Sequence, residues 1–123
     1  YLPNEIDRLV SSFDHKKFDY AYNHIPRENN YPDGLGAEIC TFSILKHLNE
    51  KAKGDKYREH IFNFVWERRK QYRINIFDAP LSISFPKLKL DINTIEDYQK
   101  LLSIPFKIDM NSEEIVKLAL DYE

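Results

Sequence analysis

One cysteine, three glycines and no long apolar run narrow what this 123-residue chain can be. Cys40 has no partner for an intrachain disulfide, and a zinc site would need further thiols or a tight histidine cluster. The four histidines, His15, His24, His47 and His60, show no metal-ligand spacing. The glycines at 34, 36 and 54 form no phosphate-cradling loop of the P-loop or dinucleotide type. No stretch approaches the roughly 20 apolar residues of a membrane span, so no membrane partner is expected. The opening Tyr1-Leu2-Pro3 lacks the basic segment of a secretory leader. The expectation is therefore a cytoplasmic protein, and a first residue other than Met fits a fragment or a processed chain. Eighteen basic and 20 acidic residues leave a net charge of −2, so no nucleic-acid partner is expected, since such a binder shows a strongly basic face. The run Arg68-Arg69-Lys70 follows Glu67 and reads as a solvated helix end, where cations are favoured.

What is present suits a packed core. Hydrophobic residues make up 42% and aromatics 14%, with eight Tyr and eight Phe, which argues against disorder. These large side chains suit a sheet–helix interface, with some uncovered if a partner half is missing. The chain reads as one domain, residues 1–123, without repeat or linker.

Asn4 is a plausible N-cap for a helix carrying Ile6, Leu9, Val10 and Phe13. A strand is predicted over 18–23, a polar loop over 24–31, and a strand over 37–42. Ser43 is expected to cap a helix that Gly54 ends, and Asp55 to cap the next, with Ile61, Phe62, Val65 and Trp66 inward. Residues 72–77 alternate as a half-buried strand, and 81–85 and 88–92 read as extended around Pro86. Asn93 with Glu96 has capping-box spacing, and Ser112 is expected to cap a last helix. Alternating helices and strands favour a layered α/β sheet.

Three clusters carry candidate chemistry. Tyr31 to Glu38 contains a turn with Gly34 and Gly36, where unusual backbone angles and close ligand approach are allowed. Glu38 would accept hydrogen bonds from sugar hydroxyls, or the segment is simply a strand-entry turn. Arg58-Glu59-His60 are adjacent, so on a helix they cannot share one face. They line a cleft in part, or only a helix surface. Asp91-Ile92-Asn93 falls at a strand end before a helix, the place where open α/β sheets bind ligands. Asp91 and Asn93 are oxygen donors suited to Mg²⁺ shared with phosphates, or Asn93 only caps the helix. Cys40, between Ile39 and Thr41, reads as a buried inert thiol.

In order and spacing these segments resemble the C-terminal portion of the spore-coat polysaccharide cytidylyltransferase-like family, relatives of the enzymes that make CMP-KDO and CMP-sialic acids. That family carries Tyr-Pro-x-Gly-Leu-Asp-x-Glu, then Arg-Glu-His, then Val-Asp-Thr-Pro-Glu-Asp. The counterparts here are Tyr31 to Glu38, Arg58 to His60, and Ile92 to Asp97, while Pro3 to Asp7 is similar to the helix start after the family's central Asp-x-Pro motif. The resemblance implies the C-terminal half of a Rossmann-like, three-layer nucleotidyltransferase fold of the nucleotide-diphospho-sugar transferase type. It implies CTP and a sugar as substrates, with Mg²⁺ assisting. Glu38, Gly34, Arg58 and His60 would then meet substrate, and Asn93 with Asp91 the metal. Gly36 stands where the family has Asp, Asn93 where it has a ligating Asp, and Ile95 where it has Pro. The Arg-x-x-Ser-x-Arg-x-x-x-Lys loop of the N-terminal half and the central Asp are absent, so the chain alone is expected to be inactive. The alternative expectation is a non-catalytic interaction module that retains the fold, as a homodimer.

Overall fold

The structure is a computed structural model that describes residues 1–123. Its sheet has three strands in the order β2-β1-β3. β1 (Tyr20–Tyr22) is central. β2 (Glu38–Cys40) runs antiparallel to it, with Glu38 opposite Tyr22. β3 (Ile74–Asn75) runs parallel, with Asn75 opposite Ala21. Side chains alternate between the two faces of a strand, and every residue of β1 is fully buried, so both faces are covered.

Tyr20 and Tyr22 face one way. They pack with Leu48 and Ala52 at the end of α2 (Phe42–Lys51) and with Phe64 and Val65 of α4 (Asn63–Glu67). Between these helices lies the short α3 (Asp55–Glu59). Ala21, Asn23 and Asn75 face the other way, toward α1 (Pro3–Ser12). Asn75 Nδ2 donates to the Ser12 carbonyl at 2.9 Å, and Asn23 Nδ2 donates to the Glu5 carbonyl at 2.9 Å. Helices therefore cover both sheet faces, as the alternating pattern predicted. A second core joins Tyr31, Leu35, Ile83 and Leu88 to Ile104, Val116 and Ala119. α5 (Ile95–Ser103) and α6 (Ser112–Asp121) enclose it.

The two cores meet at a fully buried carboxyl group, that of Glu5. Ser112 Oγ donates to Glu5 Oε1 at 2.7 Å, and Arg8 Nε donates to Oε2 at 3.2 Å. Asn4 Nδ2 in turn donates to Ser112 Oγ at 2.6 Å. This explains two differences from the sequence reading. Asn4 and Ser112 are not caps, because their side chains bond each other across the molecule. Leu2 takes the N-cap position of α1, with Pro3 supplying the first helical turn, and Asn111 caps α6 with Glu114 completing its box.

Other boundaries also move. Thr41, not Ser43, caps α2. Gly54 does not end that helix but opens α3 with φ of 108°. The single helix expected after Asp55 breaks at His60, whose backbone leaves the helical region. Residues 81–83 form a 3₁₀ turn rather than a strand. The 88–92 segment makes one parallel bridge, Lys89 to Asp33. α5 is capped by Thr94 and not Asn93, because the Asp97 carboxylate accepts both the Asn93 and Thr94 amides at 3.0 Å. No helix is long and apolar enough to cross a membrane.

Replacing Glu5 by Ala removes the acceptor for buried Ser112 and loosens Arg8 and Asn23. Each buried polar group left unsatisfied costs about 1–3 kcal/mol. The expected loss in unfolding free energy is about 2–4 kcal/mol, read by urea denaturation. A loss below about 1 kcal/mol would show the network to be dispensable.

Candidate functional site

Glu38 is the first residue of β2, and its side chain shares a face with Tyr20 and Tyr22. Tyr20 donates its hydroxyl to Glu38 Oε2. Burial, then the Glu38 charge, pushes the Tyr20 phenol well above its ordinary range, so it stays a donor. The other carboxylate oxygen of Glu38 lies 3.6 Å from His24 Nε2. Glu38 and His24 line a cavity of about 220 Å³ with Arg27, Glu59, His60 and Trp66. A wider neighbouring cavity of about 440 Å³ shares His24, Glu38 and Phe62. Together these form a cleft beside the sheet edge.

The break at His60 decides which of the adjacent trio reaches this cleft. Glu59 ends α3, and non-helical His60 turns with it into the cavity. Arg58 does not line it and instead borders a different cavity with Leu45, Leu48 and Ile61. Glu38 and His60 are thus brought together, and Arg58 is not.

Burial holds His24 below its ordinary pKa of 6.5. The Glu38 charge opposes that shift and the Arg27 charge adds to it. The folded state therefore favours neutral His24, whose Nδ1 is buried without a partner. Cys40 is half-buried rather than buried, and burial followed by the Glu38 charge raises its thiol pKa away from the reactive thiolate.

The two turn glycines hold the cleft to the rest of the chain by contact rather than flexibility. Gly34 adopts φ of 105°, and a Cβ there would lie 2.8 Å from the Asp91 amide nitrogen. Its own amide donates to the His24 carbonyl at 2.8 Å. Gly34 thus joins the cleft wall to the Asp91 segment. A Cβ at Gly36 would lie 1.9 Å from Asn23 Oδ1, which accepts the Ala37 amide at 2.9 Å. The Asn23 amide fills the space that a side chain at 36 would take.

Asp91 and Asn93 do face one another, with Asn93 Nδ2 donating to Asp91 Oδ2 at 2.7 Å. Asp91 Oδ1 is buried and has no hydrogen-bond partner. Burial, then the Asp91 charge, raises the Asp33 carboxyl pKa, while Lys89 opposes the shift. Lys89 also donates to Asp97 at 2.9 Å, and with the Asn93 and Thr94 amides it holds that carboxyl far below its usual range. No group of three or more His, Cys, Asp or Glu side chains is placed to enclose a metal. One orphaned carboxylate oxygen is the donor set this segment offers as it stands, since Asn93 turns its Nδ2 and not its carbonyl toward Asp91; Mg²⁺ commonly keeps its waters and takes one or two protein oxygens together with phosphates.

His24 and Arg27 escaped the sequence reading as site residues, which left 24–31 as a loop, and Trp66 was expected only as an inward core residue. The missed signal was the hairpin register. With Tyr22 opposite Glu38, His24 two residues on falls on the same face.

The comparisons supply the class first. A solved cytidylyltransferase from Leptospira borgpetersenii serovar Hardjo-bovis is 27% identical to this chain with a TM-score of 0.75, and the match covers 94% of this chain and 48% of that one. The fold is that of part of a cytidylyltransferase, the Rossmann-like partial fold expected from the motifs. Among curated proteins, spore coat polysaccharide biosynthesis protein SpsF of Bacillus subtilis is 25% identical over 121 residues, covering 94% of this chain and 48% of SpsF. An uncharacterized protein of Methanocaldococcus jannaschii is 26% identical over 110 residues, covering 89% of this chain and 43% of that protein. The chain therefore spans about half the length of the relatives it matches. No family model matches the chain.

Two outcomes follow from this geometry. Because folded His24 resists protonation, the unfolded chain binds more protons below pH 6.5, and stability falls as pH drops below that value. Urea denaturation across pH 7 to 5 should show this slope reduced in His24→Gln, and a His24 NMR titration midpoint at or above 6.5 would refute it. Gly36→Ala should destabilise the chain by about 1–3 kcal/mol through the Asn23 clash. Combined with Asn23→Ala its effect should be smaller than the sum of the two, and additive losses would show that the two positions do not compete for space.

Proposed function

We propose that this chain is part of a sugar nucleotidyltransferase of the cytidylyltransferase class, which transfers a cytidylyl group from CTP to a sugar with loss of pyrophosphate, in the synthesis of polysaccharide precursors. The observation that carries this reading is the convergence of Glu38 and His60, from two separate motifs, on one cleft of a cytidylyltransferase-like fold. The relatives' names support the direction of the reading. In it the chain is the C-terminal half, and most nucleotide contacts lie outside it. CTP supply would place the reaction in the cytoplasm.

Glu38 accepts hydrogen bonds from sugar hydroxyls, fixed by the Tyr20 donor behind it. Neutral His24, together with His60, completes that wall. Gly34 holds the Asp91 backbone near, and Arg58, which lines a different cavity, is assigned no substrate contact. Asp91 and Asn93 would hold Mg²⁺, which when bound neutralises charge on the phosphates of the nucleotide. Filling a metal site would require Asn93 to release Asp91 and turn its carbonyl inward.

The bond between Asn93 and Asp91, together with the Asn23 amide filling the space at Gly36, favours a second reading. In it the chain is a non-catalytic interaction module, dimeric through the retained fold. Titration of CTP with Mg²⁺ into a chain extended to the length of the relatives separates the two, since the module predicts no heat of binding.

For the enzyme reading, the 123-residue chain alone should release no pyrophosphate from CTP and a sugar, while the extended chain should. In the extended chain, Glu38→Gln should lower kcat/KM by about 10- to 100-fold, the worth of one or two polar contacts. An unchanged kcat/KM would remove Glu38 from the site.

A further inference from the structure

Glu38 Oε1 and His24 Nε2 stand 3.6 Å apart. A good N–H···O bond needs about 2.7–3.2 Å, so the two do not satisfy each other. The gap is still narrow enough for one oxygen atom to reach both. His24 and Glu38, with Phe62, are the residues that the two neighbouring cavities share, so the gap opens on the cleft. The other carboxylate oxygen, Oε2, is occupied by the Tyr20 hydroxyl. Oε1 is the acceptor left over.

The surroundings of His24 settle which ring nitrogen carries its proton. The ring meets that of Tyr22 edge-on, at 6.0 Å and 85°. Its Nδ1 is buried without a partner. A buried acceptor left alone is tolerated better than a buried N–H left alone. The proton therefore belongs on Nε2, where the Glu38 carboxylate also favours it. Neutral His24 then presents a donor beside the acceptor of Glu38. A hydroxyl group serves both, because it accepts and donates through one oxygen.

Protonation changes this arrangement. An imidazolium pairs with Oε1 directly, charge on charge, and competes with the hydroxyl for it. The other charged and titratable groups at the cleft are Arg27 on the His24 loop, Glu59 with His60 at 3.5 Å beyond α3, and Tyr1 ahead of α1. Of these, Arg27 acts on His24 against Glu38. Folded His24 takes its second proton only below its ordinary 6.5, so the gap is open at neutral pH and closes as pH falls through that lower value.

Resting on the sugar-site reading of this cleft, we infer that His24 and Glu38 form one hydroxyl-reading pair, His24 donating through Nε2 and Glu38 accepting through Oε1, and that an imidazolium at 24 shuts it. His24 is then a specificity-determining residue, and the cleft carries an acid-sensitive gate.

Nitrogen-15 NMR of the imidazoles in the 123-residue chain reads the tautomer without any ligand. Neutral His24 should hold its proton on Nε2, and a proton on Nδ1 overturns the pairing while the sugar site stands. Glucose, mannose and galactose are then titrated at about pH 7.5 and about pH 5, on either side of the His24 transition, and followed by the shifts of His60 and Trp66. At least one sugar should bind at the higher pH and about tenfold more weakly at the lower, the worth of one or two hydrogen bonds. His24→Phe keeps a ring against Tyr22 and should show the same tenfold loss already at the higher pH. His24→Gln, which sets an uncharged N–H near the Nε2 position, should recover most of that affinity and lose none of it in acid. An acid-induced loss that persists in His24→Gln, or full affinity in His24→Phe, overturns the role of His24 and leaves the sugar site standing. No shift with any of the three sugars overturns the sugar site itself, and the inference with it.

Discussion

A carboxyl group removed from solvent must be surrounded by donors, and that of Glu5 organises this molecule. Its donors come from distant parts of the chain. Arg8 lies one turn on in α1, Asn23 follows β1, and Ser112 opens α6. Apolar contacts alone would leave two clusters, one under the sheet and one between α5, α6 and the loops. Glu5 fixes how the two sit together, because a hydrogen-bonded group tolerates less sliding than an apolar face. Tyr31 belongs to the second cluster, and its buried hydroxyl is raised in pKa first by burial and then by the Glu5 charge. The network therefore reaches the start of the glycine turn as well.

From Glu5 the constraint runs to the cleft in two steps. The Asn23 amide donates to the Glu5 carbonyl and accepts the Ala37 amide. Ala37 precedes Glu38, so the entry of β2 is set by a side chain bonded to α1. Gly36 makes this arrangement feasible because it leaves room for Asn23. The departure from the family pattern at 36 is thus a change of occupant. An amide from the neighbouring strand stands where a side chain from the turn would otherwise project. Gly34 does the complementary work by letting the turn lie against the Leu90–Asp91 backbone. Two glycines and one asparagine hold the Glu38 wall and the Asp91–Asn93 segment to the same scaffold.

Much of this was legible in the residues. Helical spacing found the helix cores, since an apolar stripe is a local property of the sequence. Capping signals misled at Asn4 and Ser112 because a polar side chain near a helix start also bonds to distant groups, and at Ser43 and Asn93 because the neighbouring Thr41 and Thr94 take the cap. Ser112 and Asn4 do so, 108 residues apart. The strand expected over 88–92 came from local pattern, whereas its only ladder contact is Lys89 with Asp33. Of the site residues, Glu38 and His60 were legible as motif members, and the break after Glu59 that turns His60 inward was not. His24 and Arg27 carried no motif. They become visible only through the pairing of Tyr22 with Glu38, a contact between strands whose partners lie sixteen residues apart.

The two candidate-site carboxylates, Glu38 and Asp91, differ in their surroundings. Glu38 has one oxygen held by Tyr20 and the other near neutral His24, with no cation close enough to neutralise it. It faces the cleft as an acceptor fixed in place, which suits hydroxyl groups. Asp91 instead sits beside another carboxyl, Asp33, with Lys89 shared among Asp33, Asp91 and Asp97. Lys89 is bonded to Asp97, so the Asp33–Asp91 pair remains undercompensated. Asp91 also has a buried oxygen without a donor. A site of this kind gains more from a cation than from a hydroxyl. The two carboxylates thus sit in different electrostatic surroundings, Glu38 held by a neutral donor and Asp91 beside a second carboxyl.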